Sequence, residues 1–214
     1  MKKLFLLLAL LGMVATGCSK DDADKNNDNK TEQPDNGSGE DNNIPNNEIW
    51  YTTTNGEVVE PYSGEENNYA DALTAFGANI ISNTYIDGKG VITFDGDVTT
   101  IGSAAFADCD SLTSVTIPDS VTTIGTEAFI GCTYLTSVTI SEGVTTIGDS
   151  AFGWCDSLTS VYCKATTPPA LGNTAVFDSN DSGRKIYVPT ESVEAYKSAQ
   201  GWSEYADAIV GYYF

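Results

Sequence analysis

Cys109, Cys132 and Cys155 follow one another at intervals of 23 residues. In an exported protein such a set suggests disulfide bonds or a bound metal. The spacing favours a third use. If each cysteine holds the same place in successive structural units, the three side chains point the same way, about 4.7–5 Å apart, one strand spacing. A disulfide wants Cβ atoms at roughly 3.8 Å that face each other. The expectation is three buried thiols serving as small core residues, with a disulfide or metal as the alternative. Histidine is absent from the chain, which removes Ser-His-Asp and Cys-His catalysis and zinc sites built on histidine. Carboxylates are plentiful: 30 Asp and Glu against 10 Lys and Arg, a net charge of −20. Glycosidase chemistry needs two of them across one cleft. Asp108, Asp110, Asp119 and Glu142 instead fall in turn-like segments and read as solvated surface. Asp95, Asp97 and Asp108, with backbone oxygens, form one weak calcium candidate, and no EF-hand or nonapeptide calcium motif accompanies it. No catalytic residue, metal site or cofactor is assigned, and the chain is expected not to be an enzyme. Its charge also argues against nucleic acid and against peripheral binding to anionic lipid.

The elements that place the cysteines repeat with them. Val98-Thr99-Thr100-Ile101-Gly102 returns at 121–125 and again at 144–148. Ala105, Phe106, Leu112 and Val115 return as Ala128, Phe129, Leu135 and Val138, then as Ala151, Phe152, Leu158 and Val161. Gly102, Gly125 and Gly148 mark a repeated turn at which a missing Cβ lifts a steric limit. Within each unit Leu-x-x-Val-x-Ile, as in 112–117 and 135–140, has the spacing of a short strand that points alternate residues inward. One unit cannot bury its apolar residues alone, and stacking gives a continuous core.

The pattern VTTIG..AF..C..LTSVTI resembles the BspA-like leucine-rich repeats of bacterial surface proteins over about residues 90–190. The resemblance implies a mainly β fold, a short solenoid of about five stacked parallel strands. Stepping by the period places them near 91–94, 114–117, 137–140, 160–163 and 185–188. Ile92 and Phe94 fill the inward slots of the first, Cys163 a slot of the fourth, Ile186 and Val188 those of the fifth. Phe177 is the counterpart of Phe152, and Thr166-Thr167-Pro168-Pro169 enlarges the last turn. The solenoid is expected over 91–189 with a cap at each end, because open ends expose strand edges and apolar faces. Residues 48–90 read as an N-terminal cap: a β-hairpin of 49–54 and 57–60 about Asn55-Gly56, a short helix near Asp71–Phe76, and Ile80–Tyr85 pairing with the first stacked strand through Asp87-Gly88-Lys89-Gly90. Residues 190–214 read as a C-terminal cap of helix (Glu191–Ala199) and strand (Ala208–Phe214). In it Val193, Tyr196 and Ala199 pack on the last repeat, and Trp202, Tyr205, Tyr212, Tyr213 and Phe214 form a cap core.

The start of the chain bears on location. Lys2 and Lys3 precede an apolar run, Leu4–Thr16, of about 13 residues, short of the roughly 20 that span a bilayer; it reads as a signal-peptide core. Ala15-Thr16-Gly17-Cys18 resembles the lipobox of bacterial lipoproteins. That implies a signal peptide over 1–17 and lipidation at Cys18. Ser19-Lys20-Asp21-Asp22-Ala23-Asp24 resembles the acidic signal that sends lipoproteins to the outer face of the outer membrane. Residues 18–47, almost devoid of apolar side chains beyond the cysteine, read as a disordered acidic tether.

Between the inward residues of each strand lie outward ones. Stacked, they make a candidate binding face: Thr93, Thr116, Thr139, Tyr162 and Tyr187, flanked by Ser114, Ser137, Ser160 and Lys185. Threonine is also simply a good exposed strand former. A second row, Thr99/Thr100, Thr122/Thr123 and Thr145/Thr146, is an equal alternative. The family resemblance implies adhesion or protein–protein interaction, with extracellular or host proteins as partners. Glycan binding within a nutrient-capture system is the rival expectation, and a structural envelope protein without ligand the third.

Overall fold

Period-two alternation produces the strands, and the residues that break it produce the turns. In 137–140, Val138 and Ile140 are fully buried while Ser137 and Thr139 are half-buried. In the computed structural model residues 44–61 and 75–214 are described. The strands are β1 (Glu48–Thr53), β2 (Ile80–Ile86), β3 (Lys89–Phe94), β4 (Thr100–Ile101), β5 (Leu112–Thr116), β6 (Thr123–Ile124), β7 (Ser137–Ile140), β8 (Thr146–Ile147), β9 (Ser160–Cys163), β10 (Ala170–Leu171), β11 (Lys185–Pro189) and β12 (Ile209–Tyr212). Between the last two lie the α-helix α1 (Val193–Ser198) and 3-10 turns at Thr190–Ser192 and Trp202–Ala208. Two sheets result, an eight-stranded one ordered β12-β11-β9-β7-β5-β1-β3-β2 and a four-stranded one ordered β10-β8-β6-β4. The apolar core fills the space between them.

The parallel run is five strands long, with one member changed. β5, β7, β9, β11 and β12 are successively parallel. The segment at 91–94 is not the first of them. β1 is inserted between β3 and β5 and pairs antiparallel with both. This also corrects the expected hairpin of 49–54 with 57–60. Asn55-Gly56 does turn the chain, with Gly56 at φ +71° and the Asn55 side chain accepting from Glu57 N at 3.1 Å. Residues 57–60 form no strand on β1, which pairs instead with β3 through 48–51 and with β5 through 50–53. The hairpin of the N-terminal cap is β2–β3, closed by Asp87 (φ 51°) and Gly88 (φ 84°), the left-handed pair that a two-residue type I′ turn needs. The expected helix at Asp71–Phe76 lies outside the described residues except for its last two. Ile44 is buried, and Asn46 O accepts from Val98 N at 2.8 Å, so the fold begins a few residues before Glu48.

A column of rings runs through the core. Phe106, Phe129, Phe152 and Phe177 stack nearly parallel, with centroids 5.0, 5.1 and 5.5 Å apart. Each end is closed edge-on, by Phe76 against Phe106 (68°) and by Tyr205 against Phe177 (82°). The C-terminal cap also satisfies the proline loop, whose carbonyls have no ladder to join. Trp202 Nε1 donates to Pro169 O at 2.7 Å, Tyr196 Oη to Ala165 O at 2.7 Å, and Ser192 Oγ to Thr166 O at 2.8 Å. Trp202 and Tyr205 thus belong to the cap core. Tyr213 and Phe214 do not: they are exposed (81% and 52%).

Cys109, Cys132, Cys155 and Cys163 are free thiols. Cys132 and Cys155 are fully buried, and each Sγ donates to the phenylalanine carbonyl of the preceding repeat, Phe106 O at 3.0 Å and Phe129 O at 3.1 Å. Cys109 is only half-buried, because no repeat of the same form precedes it. Burial pushes the Cys155 thiol up to about 12 and that of Cys163 to about 11. At Cys109 burial, then the carboxylates of Asp108 and Asp110, raises it to about 11. Since these values lie above the ordinary 9.0, the neutral thiol is the form the fold favours. That contribution is fully present below pH 9 and is lost as pH rises through 11–12. At pH 8, iodoacetamide is expected to leave Cys132, Cys155 and Cys163 unmodified in the native protein and to label all three in denaturant, read by peptide mass. Rapid native labelling at Cys132 or Cys155 would contradict the buried-thiol assignment.

Candidate binding face

The outward side of the eight-stranded sheet carries the candidate site. Parallel pairing sets Thr116, Thr139, Tyr162 and Tyr187 side by side, and beside them Ser114, Ser137, Ser160 and Lys185. Both rows run as the 23-residue period requires. Thr93 does not join them. Because β3 runs antiparallel, Thr93 faces Glu48 on β1, two residues from the row. The place next to Thr116 is taken by Trp50, followed by Val91 and Thr84. Trp50 is the residue that sequence reasoning missed. The alternation of Ile49, Trp50 and Tyr51 marks Trp50 as outward, but nothing in the repeat says that β1 slots in beside β5.

The row has aromatic ends and a hydroxyl middle. At one end Trp50 Nε1 donates to Glu48 Oε2 at 2.6 Å, and Lys89 Nζ lies 2.9 Å from the ring centroid, a cation–π contact. Beside it, where β1 meets β5, Thr52 Oγ1 lies 2.6 Å from the hydroxyls of both Thr113 and Ser114; the middle of the row is Thr116 and Thr139. At the other end Tyr162 and Tyr187 stack at 4.8 Å and 13°, and Tyr212 meets both edge-on. Tyr212 therefore belongs to this face and not to the cap core. Burial, followed by the neighbouring Tyr187 and Tyr212, raises the Tyr162 phenol above its ordinary value, so it stays a neutral donor and acceptor. The face offers hydroxyls, ring edges and three charges at its margins, Lys185, Lys89 and Glu48.

In the alternative threonine row several hydroxyls bond to the backbone of a neighbouring repeat. Thr122 Oγ1 donates to Thr99 O at 3.3 Å and Thr145 Oγ1 to Thr122 O at 3.1 Å, each reaching one repeat back. Thr136 and Thr159 do the same before the long sheet. These side chains lace repeat to repeat, a structural use of the period. The calcium candidate also separates: Asp95 accepts from the side chain and backbone of Asn79, which hold its carboxyl below the usual range. Among the described residues no three or more His, Cys, Asp or Glu side chains are grouped to hold a metal ion.

Residues 74–198, more than half of the chain, match the family model described as a BspA type leucine rich repeat region of six copies. The chain belongs to the BspA-type leucine-rich repeat family. As a BspA-type repeat protein it is a scaffold for protein interaction, built as a leucine-rich-repeat solenoid. It is similar to a leucine-rich repeat protein of known crystal structure from Bacteroides ovatus ATCC 8483, at 30% identity and a TM-score of 0.35. That match covers 50% of this chain and 27% of the other, so the chain spans about a quarter of the solved protein. No curated protein matches it. In this BspA-type chain the family pattern accounts for the inward residues and the threonine lacing. The outward position of the row changes along the repeats, from Thr116 and Thr139 to Tyr162 and Tyr187.

Proposed function

We propose that this chain is a lipid-anchored surface protein whose outward sheet face binds extracellular or host proteins, and that it is not an enzyme. The observation that carries the reading is the row from Trp50 through Thr116 and Thr139 to Tyr162 and Tyr187, aromatic anchors around a hydroxyl floor. Tyrosine and tryptophan are the residues on which protein interfaces most depend. The lack of histidine and the charge of −20 support a binder of neither nucleic acid nor catalytic substrate. Signal-like residues 1–17, Cys18 and the acidic Lys20-Asp21-Asp22 support lipidation and display outside the outer membrane. Cys18 and these neighbours lie outside the described residues. Incorporation of labelled palmitate, abolished by Cys18→Ser, together with loss of the protein from intact cells on protease treatment, tests that placement. A chain that takes up no palmitate, or that resists protease until the cells are broken, contradicts it.

Glycan binding is the second reading, favoured by the same tyrosines and hydroxyls. Stacking of Tyr162 on Tyr187 consumes one face of each ring, and sugar rings bind through open aromatic faces; this weighs toward protein. Affinity electrophoresis in soluble polysaccharides separates the two. No retardation is expected, and retardation weakened by Tyr187→Ala would favour the glycan.

A further inference from the structure

The turns that lead from the four-stranded sheet to the eight-stranded one carry a second surface. In each turn the residue just before the repeat cysteine, or its counterpart, is left-handed: Asp108 (φ 54°), Gly131 (φ 71°), Trp154 (φ 59°) and Ser179 (φ 54°). Glycine, aspartate and serine are small there. A tryptophan is not, since a bulky side chain is penalised in this region. Burial does not compensate, because Trp154 is 63% exposed. Among the described residues its side chain has no hydrogen-bond or ring partner. Its counterparts in the adjoining repeats, Gly131 and Ser179, are too small to cover it. Tyr134, 57% exposed, stands in the preceding turn between the equivalent Ser111 and Ser157. Strain held at an open aromatic residue is a mark of use.

The surroundings of these two rings have one sign of charge. Asp108, Asp110, Glu127, Asp149, Asp156, Asp178 and Asp181 are all exposed in the same set of turns. The single basic side chain of the turns 102–111, 125–134, 148–157 and 172–184 is Arg184. It is folded inward: its Nη1 donates to Phe177 O at 2.8 Å and its guanidinium lies over the Phe177 and Tyr205 rings. Apart from Asp178, which lies close enough to interact with the Arg184 guanidinium, the carboxylates of these turns have no basic side chain within the same turns.

We propose that this turn edge, centred on Trp154 and Tyr134, docks a lysine- or arginine-rich segment of a partner protein. Carboxylates draw and hydrogen-bond the cationic heads, and the open indole and phenol faces take a guanidinium or ammonium by cation–π contact. This surface is separate from the sheet row and does not depend on it.

The test titrates the full chain with an oligoarginine peptide and with a Gly/Ser peptide of equal length, read by calorimetry at low and physiological salt. The wild type is expected to bind oligoarginine and ignore the neutral peptide. Trp154→Gly should weaken binding by about tenfold with an unfolding midpoint at or above that of the wild type, because glycine accepts the left-handed conformation. Tyr134→Ser should weaken it to a smaller degree, and Tyr162→Ala should leave it unchanged. The proposal is overturned if the wild type does not bind oligoarginine, or if Trp154→Gly binds as tightly, which would leave only diffuse charge attraction. It is also overturned if the loss comes with a fall in the midpoint, which would make Trp154 a packing residue. Loss of protein binding in the tyrosine variant with oligoarginine binding intact would confirm that the two surfaces are distinct.

Discussion

Phe129→Ala is expected to cost about 3–5 kcal/mol of stability. Phe129 is fully buried in mid-column, 5.0 Å from Phe106 and 5.1 Å from Phe152, with interplanar angles of 2° and 4°. Removing the ring strips a stacked face from both neighbours and leaves a cavity that cannot collapse. The backbones on either side are held by the inter-repeat bonds Phe106 N to Ala128 O (2.7 Å) and Phe129 N to Ala151 O (2.8 Å). In a stacked-repeat protein stability is approximately a sum of repeat and nearest-neighbour terms, so the substitution weakens the coupling on both sides of one repeat. Domains of this size hold about 5–15 kcal/mol in total. Urea denaturation should therefore show a much lower midpoint or no cooperative transition. An unchanged midpoint would mean that the column does not hold the repeats together.

Gly148→Ala is expected to be nearly as damaging, which is unusual for the addition of one methyl group. A Cβ on Gly148 would lie 2.4 Å from Thr126 N and 2.6 Å from Gly125 C, both backbone atoms of the preceding repeat. Neither can swing aside as a side chain can. Relief requires the repeats to part, and the bonds that would lengthen are Gly148 N to Ile124 O and Glu127 N to Asp149 O, both 2.8 Å. Overpacking of this kind costs about 1–3 kcal/mol and more where the obstacle is rigid. Gly125 meets the same obstacle at Ser103 N, 2.5 Å away. The control is Gly183→Ala: there the nearest atom is a carboxylate oxygen of Asp181 at 3.1 Å, on an exposed loop. Thermal unfolding should separate the two, with a large fall in Tm for Gly148→Ala and a change within error for Gly183→Ala. Equal effects would contradict the close-approach explanation.

That explanation shows what the repeat in the sequence does and does not convey. Recurrence of Gly102, Gly125 and Gly148 points to a spot where a side chain is forbidden, and this is correct. The reason is not a left-handed turn, since the left-handed places fall two residues later, at Ala104, Glu127 and Ser150. It is contact with the repeat before. Inward residues were legible because burial repeats with the period: Val138, Phe129 and Cys132 return one repeat earlier and one later, and Ile140 returns as Ile117 and as the smaller Cys163. The N-terminal end was not, because β1 obeys no period. Ile49-Trp50-Tyr51 alternates like any half-buried strand, and alternation gives the facing of side chains without naming the neighbour. Once β1 fills the gap beside β5, Thr93 leaves the row and Trp50 enters it. At the other end Tyr212, Tyr213 and Phe214 read in the sequence as part of one cap core with Trp202 and Tyr205. Only the pairing of β12 with β11 shows that Tyr212 meets Tyr162 and Tyr187 on the outward face, while Tyr213 is exposed and Phe214, 52% exposed, packs on Tyr212.

The turn edge illustrates a different limit. Trp154 occupies a place where its counterparts are Asp108 and Gly131, a substitution visible on aligning the repeats. Its backbone conformation and exposure, which give the substitution meaning, exist only in the fold.

Retention of the full chain on immobilised extracellular-matrix proteins, compared with that of a folded Tyr162→Ala/Tyr187→Ala variant, bears most directly on the outward face as the working surface. The wild type should be retained, and the variant should lose about 2 kcal/mol or more of binding free energy with its unfolding transition still cooperative. A folded variant that is retained as strongly as the wild type would show that this face does not bind.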